Sequence, residues 1–171
     1  MAERHQALLR GFVPVSRSDA RVLVLGSFPS EASLAAAEYY AFGRNAFWKL
    51  MAEITGVPAD APYEARCAGL LEQRIALWDV IAACRRRGSL DSAIEPASIV
   101  PNDFAGFFRT HPEVGRVCFN GAKAEDVFRR KALPVIEHVQ LHLLRLPSTS
   151  PANASWSFER KRAVWTQALT G

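Results

Sequence analysis

Cysteine is scarce in this 171-residue chain, lysine is outnumbered by arginine, and no long apolar run occurs. The three cysteines, Cys67, Cys84 and Cys118, stand far apart among apolar neighbours. That spacing excludes a disulfide framework and a metal-thiolate site, and buried structural thiols are the expectation. The four histidines, His5, His111, His138 and His142, show no ligand spacing on a helix, so no metal is expected. No stretch approaches the roughly 20 apolar residues that cross a bilayer. Met1 to His5 lacks the apolar core of a signal peptide, so the expected location is cytoplasmic, with no membrane partner. Neither Gly-x-x-x-x-Gly-Lys nor Gly-x-Gly-x-x-Gly is present, which argues against the commonest nucleotide-binding modules.

What is present fits one compact domain over residues 1–171, with 49% hydrophobic and 22% charged residues and no repeat, linker or low-complexity segment. The net charge is +4. This balance is compatible with a polyanionic partner without establishing one. The triplet Arg85-Arg86-Arg87 reads either as a phosphate contact or as a solvated loop.

Apolar runs alternate with helix-period segments in the manner of βαβ units. Strands are expected over residues 21–25, 75–80, 116–119 and 137–146. Helices are expected over 33–40, 45–55, 63–74, 101–110, 122–131 and 157–169. His138 and His142 alternate with apolar neighbours, as the wetter face of the last strand would. Right-handed crossovers place helices on both faces of a parallel sheet, so the predicted fold class is α/β, a three-layer α/β/α sandwich with a four-stranded parallel sheet.

Ligands of such sheets bind outside the carboxyl ends of the strands. Those ends carry Gly26-Ser27-Phe28-Pro29, Asp79, Asn120-Gly121 and the loop Ser148-Thr149-Ser150-Pro151-Ala152-Asn153. A strand that stops at glycine offers backbone N–H groups to a ligand. The last loop offers hydroxyls, amides and a helix start, the inventory of a phosphate cradle, although capping and turn chemistry explain some of the same residues.

These motifs, together with Tyr39-Tyr40, Asn45-Ala46-Phe47-Trp48, Ile75 to Val80, Gly88 to Ala93 and Phe119-Asn120-Gly121, resemble the hypoxanthine-DNA glycosylase branch of the uracil-DNA glycosylase superfamily. The likeness runs from about residue 10 to 170. It implies a monomeric, monofunctional glycosylase of base excision repair, without cofactor or metal, acting on a deaminated base in double-stranded DNA. One departure is visible: Phe42-Gly43 stands where the family leads one to expect His-Pro. The four-cysteine iron–sulfur set of another branch is also missing.

Asn45 is the catalytic residue that the resemblance implies, because Ser27 occupies the first-motif position where relatives carry Asp or Asn. An amide there can orient water or polarise a leaving purine, and capping of the following helix is the competing role. Tyr40 takes the place of the ring that stacks on a flipped base. Gly26, Ser27, Phe28, Pro29, Asp79 and Asn120 complete the expected base-binding set. Asp79 could accept from the N1–H of hypoxanthine, or simply cap the next segment. Asn120 could face the pocket or make its Asn-Gly turn. Asp91 reads as a loop organiser. Residues 148–153 are expected to grip and penetrate the DNA. The lysines, Lys49, Lys123, Lys131 and Lys161, lie in helical segments with no activating neighbour apparent, so water is the expected nucleophile. The alternatives are a uracil- or mismatch-type glycosylase of the same superfamily, or a non-catalytic α/β module that binds a nucleotide or nucleic acid.

Overall fold

The computed structural model describes residues 6–137 and 139–171. Met1 to His5 and His138, which entered the arguments on leader peptide, metal ligands and the last strand, lie outside them. In chain order the main elements are β1 (Leu9–Arg10), β2 (Val22–Gly26), α1 (Glu31–Ala36), α2 (Phe47–Thr55), α3 (Tyr63–Glu72), β3 (Ile75–Asp79), β4 (Ile81–Cys84), β5 (Val100–Pro101), α4 (Phe104–Thr110), β6 (Arg116–Asn120), α5 (Ala122–Val127), β7 (His142–Leu146) and α6 (Phe158–Thr170).

Four strands form a parallel sheet in the order β3-β2-β6-β7. Register fixes what each face does. Leu25 lies beside Trp78 and Phe119, so these three side chains share a face. There Trp78 packs on Phe104 and Phe107, and Phe119 on Phe128. One residue further along, Gly26 lies beside Asp79. Gly26, Asp79 and Asn120 therefore turn to the opposite face, at the carboxyl end of the sheet. On that side Phe47 of α2 meets Trp165 of α6 edge-on, with ring centroids 6.1 Å apart. Helices on both faces complete the three layers.

A second sheet, antiparallel in the order β1-β4-β5, was not anticipated. The pairing does not stop at Asp79, because Val80 N–H and Ile81 N–H donate to the carbonyls of Gly26 and Ser27. The chain then runs straight into β4, which pairs with β1 and β5. Those partners are two residues each, too short to carry an alternating pattern. Val15 and Leu77 exchange backbone hydrogen bonds of 2.9 Å each way and so cover the edge of β3.

Several boundaries also moved. The helix expected to reach Tyr40 ends at Ala36, because Ala37 and Tyr40 adopt left-handed φ values of 55° and 54°. The helix expected from Asn45 starts at Phe47. The helix after β6 widens into a π-helical turn over Phe128–Ala132. The last strand begins at His142, not Glu137, and His142 is exposed. Cys84 and Cys118 are buried as thiols, whereas Cys67 is only partly covered. Among the described residues no helix is long and apolar enough to cross a membrane.

Candidate active site

A cleft of about 530 Å³ opens at the carboxyl end of the parallel sheet. The ends of β2, β3 and β6, the segments after β2 and around Ser89 to Ser92, and the loop after β7 all line it. Every predicted site residue contributes to its wall except Pro151, which is exposed at the tip of that loop.

The floor is built around an absent side chain. A Cβ placed on Gly26 would fall 2.5 Å from Asp79 Oδ1 and 2.7 Å from the Tyr40 hydroxyl oxygen. Gly26 is thus required for closeness and not for unusual backbone, since it is not among the glycines with positive φ. Asp79 is 4% exposed, and its Oδ2 is buried without a hydrogen-bond partner among the described residues. Burial first, and the neighbouring Asp91 carboxylate second, push its pKa up to about 7, while Arg86 opposes them. Asp79 is therefore not capping the next segment, the simpler role considered from sequence.

Tyr40 stacks on Phe47 with centroids 4.1 Å apart and planes at 27°. Its left-handed backbone, strained for a bulky residue, is held by that stack and by Asn120. Burial raises the Tyr40 phenol far above its ordinary pKa, so it stays neutral. Asn120 Nδ2 donates to the Tyr40 hydroxyl at 3.0 Å and to Thr149 Oγ1 at 2.9 Å, and its Oδ1 accepts the Thr149 N–H at 2.9 Å. Both amide donors are consequently committed within the protein.

Thr149, expected at the DNA surface, is instead only 1% exposed. Its carbonyl also accepts the Ala46 N–H at 3.0 Å. It braces the loop against β6 and the start of α2. Flanking it, Ser148 Oγ accepts the Ser150 N–H and Ser150 Oγ accepts the Ala152 N–H, both at 3.2 Å. Each serine hydroxyl keeps its own proton for another partner.

Asn45 Oδ1 accepts the Phe47 N–H at 2.9 Å. Asn45 is not the N-cap, which is Ala46, but stands one residue ahead of it in an Asx turn that meets the first N–H of α2; the bond fixes the amide plane while Nδ2 remains without a partner among the described residues. Ser27 donates to Asp91 Oδ1 at 2.5 Å, tying the first turn to the Gly88 to Ala93 run.

The arginine triplet does not behave as a unit. Arg86 is buried, its Nε and Nη2 donating to the carbonyls of Gly88 and Pro29, and its guanidinium lies 5.2 Å from the Phe28 ring centroid. Arg85 Nε donates to the Gln6 carbonyl, and only Arg87 is exposed. Arg86 is a staple of the cleft wall and not a phosphate ligand. Lys161 is buried on α6 and its ammonium is made less basic by desolvation, which sequence did not suggest, but it does not line the cleft. Sequence passed over Arg145, which is exposed and lines the cleft, as do Phe42, noted only as a departure, and Leu90, noted only within Gly88 to Ala93.

This fold, with a carboxyl-end cleft floored by glycine, is that of a base-excising glycosylase, and the chain belongs to the uracil DNA glycosylase superfamily, whose family model matches residues 13–169. The chain is 37% identical over 153 residues to a hypoxanthine DNA glycosylase of Methanosarcina acetivorans, covering 89% of this chain and 92% of that protein. It is 31% identical over 161 residues to a hypoxanthine DNA glycosylase of Methanosarcina barkeri, covering 94% and 97%. Its fold is similar, with a TM-score of 0.74 and 35% identity, to the solution NMR structure of a candidate uracil DNA glycosylase from Methanosarcina acetivorans, covering 95% of this chain and 99% of that one.

Proposed function

We propose that this protein is a monofunctional DNA glycosylase that excises hypoxanthine from double-stranded DNA, working as a cytoplasmic, single-domain monomer. Membership of the superfamily makes it a hydrolase of N-glycosidic bonds in DNA. The observation that carries the substrate reading is the cleft floor at Gly26, where the absence of a side chain lets the Asp79 carboxyl and the Tyr40 hydroxyl, held by Asn120, close in and present polar atoms to the cleft. A planar base enters the cleft above these groups while its sugar stays at the rim.

A base inside a duplex cannot reach this depth, so it must rotate out of the stack, at a cost of a few kcal/mol that is least for a mispaired base such as hypoxanthine. The Ser148 and Ser150 hydroxyls, which keep their own protons, approach the kinked phosphodiester, and exposed Pro151 and Ala152 enter the emptied stack. Thr149 and Asn120 serve by holding that loop in register with the Tyr40 ring. Bond cleavage gives the sugar oxocarbenium character. Asn45, its amide oriented by the Phe47 N–H, positions water toward C1′, and its free Nδ2 donates to the departing purine as negative charge develops there.

The reading is tested by incubating the protein with duplexes carrying inosine, uracil or xanthine and cleaving abasic sites with alkali. Strand scission at inosine, faster than at the other two lesions, is expected. Scission at uracil alone would make the protein a uracil-type enzyme, and none at any lesion would leave a binding module.

A further inference from the structure

We propose that Asp79 is a second catalytic residue of the excision reaction, a carboxylic acid that protonates N7 of the departing purine. This rests on the purine-excision reading above and deepens it. Asp79 lies at the carboxyl end of β3 on the cleft wall, with its Oδ1 against Gly26 and its Oδ2 buried and unpartnered among the described residues. Among the described residues no group donates a hydrogen bond to the Asp79 Oδ2. Asn102 Nδ2 donates to the Asp79 backbone carbonyl at 2.7 Å. Arg86 spends its Nε and Nη2 on Gly88 and Pro29, its Nη1 is buried without a partner among the described residues, and it favours the carboxylate only through space, making no ion pair with Asp79. Tyr39 gives its hydroxyl proton to the Val13 carbonyl, Tyr40 is a neutral phenol, and Asp91, with its own negative charge, receives Ser27.

An ionised carboxylate at that depth with an orphaned oxygen costs several kcal/mol. The group therefore holds its proton into the neutral range, in line with the direction given by burial and by Asp91. A protonated carboxyl is a donor, and it seeks an acceptor on the base. Hypoxanthine offers N7, whereas its N1–H is itself a donor. The recognition of N1–H by an Asp79 carboxylate, the sequence expectation, suits the charge state that the cleft disfavours.

The chemistry balances without another reactant. As the C1′–N9 bond breaks, its electron pair passes into the purine ring. The Asp79 O–H bond breaks with its electrons left on the carboxylate, and the proton joins N7, so hypoxanthine departs neutral. Water forms the new C1′–O bond, and the proton it loses restores Asp79 through solvent. General acid catalysis of this kind contributes about 100-fold to 10,000-fold.

The test is single-turnover excision across pH. Wild type should lose rate above about pH 7, approaching tenfold per pH unit. Asp79→Asn should be at least ~100-fold slower at pH 6, with that limb gone, while its affinity for a duplex carrying uncleavable 2′-fluoro-inosine changes only a few-fold. A duplex with 7-deaza-2′-deoxyinosine, which has C–H in place of N7, should bind wild type yet resist excision. Excision of the 7-deaza base at the inosine rate would overturn the proposal, and so would an Asp79→Asn variant that loses affinity in step with rate and keeps the wild-type pH profile. No excision of hypoxanthine by wild type would overturn the function along with it, whereas excision with a flat pH profile overturns the proposal alone.

Discussion

Replacing Gly26 by alanine adds one methyl at the most crowded point of the cleft. The new Cβ would lie 2.5 Å from Asp79 Oδ1 and 2.7 Å from the Tyr40 hydroxyl oxygen, both inside van der Waals contact. Neither neighbour yields easily. The Asp79 backbone is locked in the sheet beside Gly26, and the Tyr40 ring is stacked on Phe47 with its hydroxyl held by Asn120. Backbone conformation raises no objection, since Gly26 does not have positive φ. The cost is overpacking, about 1–3 kcal/mol of stability. The methyl also displaces the Asp79 carboxyl and the Tyr40 hydroxyl that are proposed to meet the base. A displacement of about 1 Å at a reacting centre costs on the order of 100-fold in rate. Gly26→Ala should therefore still fold, with a denaturation midpoint shifted modestly down, and lose at least ~100-fold in single-turnover excision of hypoxanthine. A folded variant that excises at the wild-type rate would refute the placement of the base against Asp79 and Tyr40.

Asn45→Ala should lower excision by about 100-fold to 1,000-fold, and Asn45→Asp, which keeps an acceptor for the Phe47 N–H, should lose rate with little loss of stability; near wild-type rates in both would reduce Asn45 to its Asx turn. Asp79 has a pKa raised from 3.8 to about 7 on folding, so the native state binds the extra proton between those values. Its contribution is most favourable below pH 4 and is lost as pH rises through 7, and the full swing is on the order of 4 kcal/mol. Asp79→Asn should accordingly flatten the stability profile over that window and gain on wild type at pH 8 in urea titrations, and parallel wild-type and variant profiles would contradict the buried-acid assignment. Thr149→Val removes the acceptor of one Asn120 N–H and should cost about 1–3 kcal/mol, together with excision from duplex DNA; unchanged stability and rate would show that the brace is dispensable.

How much was legible in the sequence depended on how local the cause was. The run Val22 to Gly26 announced both a buried strand and its stop, and Asp79 and Asn120 could be placed at strand ends from the apolar runs before them. The bond from Asn45 to the start of α2 was readable for the same reason, being a contact across two residues. The second sheet was not readable, because β1 and β5 are two residues long and β4 continues β3 through Val80 without a turn signal. The helix stop at Ala36 was hidden because the left-handed residue that caps it is Ala37 and not a glycine, and the left-handed Tyr40 beyond it is held by Phe47 and by Asn120, which lies 80 residues away. Thr149 looked like a DNA contact because its neighbours are serines, and only the fold reveals that it faces inward. Arg86 misled in the opposite sense: within a basic triplet it reads as solvated, yet the carbonyls of Pro29 and Gly88 draw it into the wall.

The central claim is most directly tested by mass spectrometry of the free base released from a duplex with a single inosine, under single-turnover conditions and in the presence of a chelator. Free hypoxanthine appearing in step with one abasic site per duplex, and no adenine released from the matched undamaged duplex, is the predicted result. An intact inosine strand, or release of undamaged purines at a comparable rate, would contradict it.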